Sequence, residues 1–264
     1  MKLTVPQPHL DVRPMWGTMI RVEVRDAIAQ EALDAVWAWF QRVDDLFSTW
    51  RDDSEICRLA RGELQLEKAS PEVRVVLELC EQVRLASDGA FDIAFAGAAN
   101  SCDLPGRCPI DPTGLVKGWA VDRAGELLVA FGASNFAINA GGDVLVRGRP
   151  EAGSEWRVGI QHPWQRDRTA ATVALTDAAV ATSGGYERGD HVIDPRSGEA
   201  AHGLASVTVI SSTLTLADAY ATAALAHGRD GMAWLATLPH VVAMGITDDQ
   251  RVVKTDGFDD FVLR

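Results

Sequence analysis

The chain has 264 residues, with 25 lysines and arginines against 37 aspartates and glutamates, giving a formal net charge of −12. A hydrophobic share of 47% with 23% charged residues is ordinary globular composition and excludes wholesale disorder. The acidic balance excludes the basic footprint of a nucleic-acid binder and of a protein drawn to anionic membranes; a phosphate compound bound here would need a local cation, aimed backbone N–H groups or a metal.

In chain order, residues 18–25 alternate apolar and polar side chains, which predicts a half-buried strand. Ile28, Ala32, Val36, Phe40, Val43 and Phe47 form one apolar stripe and predict a helix from Ala27 to Phe47. Asp53 or Ser54 can cap a short helix that stops at Gly62, and Ser70-Pro71 starts another that runs to about Ser87 and ends at Gly89. Residues 97–113 read as loop, and a third long helix covers Leu115 to Phe131. Phe136 to Asn139 and Asp143 to Arg147 read as strands joined by Ala140-Gly141-Gly142. Further strands are expected at Trp156–Gln161, Ala171–Leu175, His191–Ile193 and Ala205–Ile210, then a helix Leu216–Ala226 capped by Thr215. A helix at 230–237, a strand at 241–247, a turn at Asp248-Asp249 and a short strand at Val252-Val253 follow. Helices and strands mix without strict βαβ alternation, which favours an α+β fold. No G-x-G-x-x-G follows a strand and no Walker A run is present. Cys57, Cys80, Cys102 and Cys108 lack CxxC spacing and are expected as plain reduced thiols.

Five segments could carry chemistry, and each has a bland alternative. Asp111 to Gly118 places Lys117 near a helix start, against the macrodipole, as an anion site would require; a solvated lysine beside an aspartate cap fits equally. Asn139-Ala140-Gly141-Gly142-Asp143 is either a place where a ligand nears backbone or a tight turn. Ala181 to Tyr186 reads as a flexible hydroxyl-rich loop whose N–H groups could cradle phosphate. His191, ahead of Asp194-Pro195, is a general-base candidate or a structural histidine, with Asp190 or Asp194 as the group that could orient it. Asp218 and Thr222, at i and i+4, share a helical face and could give hard oxygens to Mg²⁺, or simply complement the dipole and pack.

Taken with Gly17-Thr18, Ser54-Glu55-Ile56, Gly89-Ala90-Phe91-Asp92 and Trp156–Pro163, the order and spacing of these segments resemble the ApbE family, the FAD:protein FMN transferases. The resemblance covers about residues 14 to 247. It implies a T-fold-like α+β architecture with mixed or antiparallel sheets, one domain over residues 1–264 with residues 1–13 as a short extension, FAD as substrate and Mg²⁺ as cofactor. It also implies an acceptor flavoprotein with an Asp-x-x-Thr/Ser-Gly-Ala-Thr/Ser segment, to whose Thr or Ser hydroxyl FMN is attached by a phosphoester bond with release of AMP. Family contacts to the flavin nucleotide fall on Ala90, Phe91, Asp92, Asp111, Lys117, Gly141, Gly142, Asp143 and Val207. Metal ligands fall on the Gly114 carbonyl, Asp218 and Thr222, with the Ala221 carbonyl as a further candidate, and the acceptor base on His191. Trp16 stands where the family has Met, with Met15 one residue earlier, and Trp50 where it has Tyr; both keep a large stacking surface. The alternatives are an FAD pyrophosphatase with the same site and a non-catalytic FAD-binding protein. Without a signal peptide, an apolar span of 18 residues or a lipid-attachment cysteine in the sequence, a cytoplasmic location is expected.

Overall fold

The structure, a computed structural model, describes residues 9–95, 108–185 and 192–263. Its strands are β1 (His9–Met15), β2 (Thr18–Val24), β3 (Phe136–Ala140), β4 (Asp143–Arg147), β5 (Trp156–Gln161), β6 (Thr169–Leu175), β7 (Ala178–Gly184), β8 (Leu204–Ser211), β9 (Val242–Thr247) and β10 (Val252–Lys254). Eight form one sheet in the order β1-β2-β3-β4-β7-β8-β9-β10, and β5 and β6 form a separate two-stranded ribbon. Every strand pairing is antiparallel. The helices are α1 (Gln30–Phe47), α2 (Glu55–Ala60), α3 (Pro71–Ala86), α4 (Thr113–Ala130), α5 (Leu214–His227) and α6 (Gly231–Leu235). The expected α+β class is therefore observed. No helix among the described residues is long and apolar enough to cross a membrane.

Side chains alternate across a strand, so a strand buried on both faces feeds two cores. In β4, Leu145 joins the core under the helices, with Phe40, Leu128 and Phe136, while Val144 and Val146 join a second core under the β5–β6 ribbon, with Trp156, Leu175 and Phe258. In β7, Ala179 and Ala181 face the helices and Ala178 and Val180 face the ribbon. This two-sided burial explains why β7 was not expected. Without a solvent face there is no polar alternation, and the run reads as a loop of small residues. β1 was not expected either; it zips onto β2 from His9↔Val24 to Met15↔Thr18.

Two helix starts differ from expectation. Ser70 precedes α3 as expected, yet its hydroxyl is donated to Glu55 Oε1 at 2.6 Å instead of capping its own helix. The helix expected from Leu216 begins at Leu214, with Thr213 as cap, and the missing acceptors come from another helix. Asp122, inside α4, accepts from Leu214 N at 2.9 Å, Thr215 N at 2.8 Å and Thr215 Oγ1 at 2.5 Å. A carboxylate facing free N–H groups and the positive end of the dipole is well placed, although burial pushes its pKa up.

Helices α4 and α5 pack unusually close. Gly114, Gly118 and Asp122 lie four apart on one face of α4. A Cβ on Gly114 would touch Thr222, one on Gly118 would overlap the Leu214 carbonyl, and Asp122 caps Leu214 and Thr215. The stripe thus runs along α5 from Thr222 back to Leu214, and the two helices cross antiparallel. Cys57, Cys80 and Cys108 are buried and carry no disulfide, and burial pushes the Cys80 thiol up to about 12, well away from reactive thiolate.

Candidate functional site

A cleft of about 770 Å³ opens where four parts of the chain meet. They are the β1–β2 turn with Trp16, the end of α1 and the turn after it with Phe47 and Trp50, the start of α4 with Thr113 and Lys117, and the Gly141 turn beside the β5–β6 loop. Trp16 (φ 53°) and Gly17 (φ 74°) form the two left-handed positions of a tight hairpin turn. That turn holds the Trp16 ring edge-on to Phe40, 5.2 Å between centroids. The indole Nε1 of Trp16 is buried and has no hydrogen-bond partner among the described residues, an uncommon state for a native donor. Trp16 lines the cleft and Met15 does not; Trp50 lines it too and is 73% exposed.

Lys117 is the chemical centre of the inner wall. Its Nζ lies 2.5 Å from Asp143 Oδ2 and 3.7 Å from Asp218 Oδ1. Both acids are nearly sealed, at 2% and 4% exposure. Asp143 Oδ1 also accepts from Thr182 N at 2.9 Å, and Asp218 Oδ2 from Gly118 N at 3.3 Å. The anions that offset Lys117 near the start of α4 are therefore two side chains of the protein itself. The expected phosphate-cradling loop at 181–186 is also different: Ala181 to Gly184 lie in β7, and the Thr182 N–H is given to Asp143.

The helical spacing of Asp218 and Thr222 puts both toward this wall. Thr222 Oγ1 is 3.1 Å from Ser183 Oγ on β7, and a Cβ on Gly114 would stand 3.6 Å from Thr222 Oγ1 and 3.3 Å from the Phe91 ring. Gly114, Asp218 and Thr222 are thus brought together, with the backbone of fully buried Ala221 beside them. Among the described residues no three His, Cys, Asp or Glu side chains cluster as a metal cage. One carboxylate, hydroxyls and carbonyls are instead the hard donors that suit Mg²⁺, which keeps waters and substrate oxygens for its remaining positions.

The remaining expected residues are distributed unevenly. Gly141 (φ 65°) and Gly142 (φ 104°) make the β3–β4 turn, and Gly142 N donates to Asn139 Oδ1 at 3.0 Å. Asp111 Oδ1 accepts from Thr113 N at 3.1 Å and Thr113 Oγ1 at 2.6 Å at the start of α4. Ala90 and Phe91 are buried, and Asp92 accepts from Ala94 N at 2.9 Å. Val207 is fully buried, opposite Ser183 in the β7–β8 register, and is not on the cleft wall. His191 and Asp190 lie outside the described residues. Gln161, at the end of β5, and Arg166, in the loop after it, line the cleft and were not among the expected site residues; exposed polar side chains carry no sequence signal of their own.

Asp194 is engaged with Arg196, accepting from Nε and Nη2 at 2.8 Å each. Arg196 Nη1 then meets His227 Nδ1 at 2.9 Å. Arginine only donates, so Nδ1 accepts and His227 is neutral. Burial, then the Arg196 charge, hold its pKa below 6.5, against the opposing pull of Asp194 and Asp88. A histidine whose folded pKa is depressed contributes stability that is present above its unfolded pKa and is lost as pH falls through the folded value. Thermal midpoints should therefore fall on acidification below about pH 6.5, and His227→Gln should fall less steeply; parallel curves for the two proteins would remove His227 as the cause.

The model of the ApbE family matches residues 16–107 and 102–245. A FAD:protein FMN transferase of Rhodobacter capsulatus is 27% identical over 306 residues, 96% of this chain and 58% of that protein. One of Vibrio cholerae is 30% identical over 190 residues, 67% of this chain and 54% of that protein. The chain thus spans little more than half the length of these two relatives. The apo form of the flavinyl transferase ApbE of Pseudomonas stutzeri has the same fold, with a TM-score of 0.85 over 99% of this chain and 98% of that one at 25% identity.

Proposed function

The chain belongs to the ApbE family, and we propose that it is a Mg²⁺-dependent FAD:protein FMN transferase, moving FMN from FAD to a Thr or Ser hydroxyl of an acceptor protein. The observation that carries this reading is the joining, in one cleft, of two tryptophans with a half-buried lysine seated on two buried carboxylates. A flavin nucleotide is a flat aromatic ring tied to a diphosphate and needs those two surfaces side by side. FAD:protein FMN transferase is also the name borne by the two relatives above.

In the reaction the acceptor oxygen forms a bond to the FMN-side phosphorus, and the bond from that phosphorus to the bridging oxygen breaks. AMP leaves with that oxygen, and the hydroxyl proton passes to His191. Asp218, Thr222 and the Gly114 carbonyl would hold Mg²⁺, which when bound withdraws charge from the phosphoryl oxygens. Lys117, fixed between Asp143 and Asp218, keeps its ammonium at the cleft wall and cannot swing away. Trp16 and Trp50 orient the ring, so that the phosphorus is presented in one position.

The test is direct. The protein is incubated with FAD and Mg²⁺, with and without an acceptor carrying an Asp-x-x-Thr-Gly-Ala-Thr segment. Flavin fluorescence that stays on the denatured acceptor, with AMP in equal amount, is expected. Release of FMN and AMP alone, unaffected by acceptor, would replace transfer by hydrolysis, and no turnover of FAD would sink the enzyme reading.

A further inference from the structure

The charge balance of the cleft points to a residue that the family resemblance did not. Lys117 faces two buried carboxylates, so this cluster carries a formal charge of −1. The other acid on the wall among the described residues, Asp44, lies 3.7 Å from Arg51, which it shares with the nearer Asp45 and Asp53, so it adds no positive charge to the cleft. Before Mg²⁺ is bound, Lys117 therefore gives a dinucleotide phosphate no net attraction, and a second protein cation is needed to draw it in. Among the described residues, the remaining cation on the wall is Arg166, in the loop between β5 and β6.

That loop is built to hold an arginine in place. Gln161 Nε2 donates to the Arg166 carbonyl at 2.9 Å, and His162 N to the Arg168 carbonyl at 2.9 Å, closing the hairpin end. Arg168 spends its guanidinium on Gln165 Oε1 at 2.8 Å. Arg166 forms no ion pair with any described residue, Asp167 included, although Arg51, Arg61, Arg84 and Arg196 each hold a carboxylate. A planar guanidinium offers two parallel N–H groups and matches phosphate oxygens bidentately.

On the reading that the cleft takes FAD, we infer that Arg166 pairs with a phosphate of the bound dinucleotide and adds to the site a protein cation beyond Lys117. It acts as an affinity-determining residue of the β5–β6 loop, distinct from the Lys117 cluster on the opposite segment of the chain.

Titration of flavin fluorescence in the full chain separates this from other roles, using FAD and riboflavin, which share the ring but differ in phosphate. Arg166→Ala should raise the Kd for FAD about ten- to a hundredfold, the worth of one charge-assisted pair. It should leave the Kd for riboflavin unchanged, and Arg166→Lys should recover part of the loss. Arg166 is exposed on a loop, so thermal unfolding should not move. Equal weakening of FAD and riboflavin would overturn the inference in favour of a ring contact. An unchanged Kd for FAD with a raised KM for acceptor would overturn it in favour of acceptor recognition. If the unmodified chain binds neither flavin, the FAD reading itself fails and this inference with it, a failure visible before any variant is made.

Discussion

Asp218→Asn is expected to lower FMN transfer roughly a hundred- to a thousandfold at millimolar Mg²⁺ while leaving the fold intact. The first half of that expectation comes from charge. Asp218 is the one carboxylate among the residues assigned to the metal, and asparagine keeps its shape but not its anion. Losing the anionic ligand removes several kcal/mol of stabilisation of phosphoryl charge, and each 1.4 kcal/mol is about tenfold in rate. The second half comes from pairing. Removing one partner of a buried ion pair normally costs about 3–5 kcal/mol, because the other charge is stranded. Here Lys117 keeps Asp143 at 2.5 Å, so the cluster goes from a formal −1 to neutral and nothing is stranded. The asparagine amide oxygen can still accept from Gly118 N, as Asp218 does now. Stability and activity should thus separate: an unchanged melting temperature without Mg²⁺, and a transfer rate that recovers only at much higher Mg²⁺. An unaltered Mg²⁺ titration would remove Asp218 from the metal. A collapsed melting temperature with normal titration would make it a structural partner of Lys117 alone.

The parts of this site that could be read from the sequence are those where a residue contradicts its own surroundings. Lys117 near a helix start, Asp218 in an alanine-rich helix and two glycines ahead of Asp143 each pose a local question. What no local question could show is that these answer one another. Gly118 and Asp218 stand 100 residues apart, and only the crossing of α4 and α5 brings them within hydrogen-bond range. A lysine near a helix start points to an anion, and only the fold shows that within the chain Lys117 stands beside Asp143 and Asp218. Asp122 was missed because a lone acid in a helix reads as a solvated face. Its signal was the four-residue spacing of Gly114, Gly118 and Asp122, which marks a face that another backbone approaches. Strand β7 was missed for the opposite reason: burial on both faces erases the period-two pattern by which strands are recognised. The helices α1 and α3, with one wet face each, were found within a few residues of their ends.

Gly118→Ala is the substitution that should damage fold and site together. In an exposed helix this change would stabilise by up to about 1 kcal/mol through propensity. At this position the added Cβ would run into the carbonyl of Leu214 and crowd Thr215 N, which are backbone atoms of α5. Backbone in the first turn of a packed helix cannot rotate aside, so the helices must part. Overpacking costs about 1–3 kcal/mol and occasionally more, and the upper end is expected here because Asp122 loses its fit to the Leu214 and Thr215 N–H groups in the same movement. Gly125→Ala on the same helix is the control. Its Cβ would come 2.8 Å from Leu145 Cδ2, the far end of a side chain that can turn, so a smaller loss is expected. Urea unfolding should rank the variants wild type, then Gly125→Ala, then Gly118→Ala. Transfer should fall most steeply for Gly118→Ala, because Lys117 rides on one of the separated helices and Asp218 and Thr222 on the other. Equal unfolding midpoints for the two variants would show that α5 yields as easily as a leucine side chain, and the close helix crossing would then not be what sets the distance between Lys117 and Asp218.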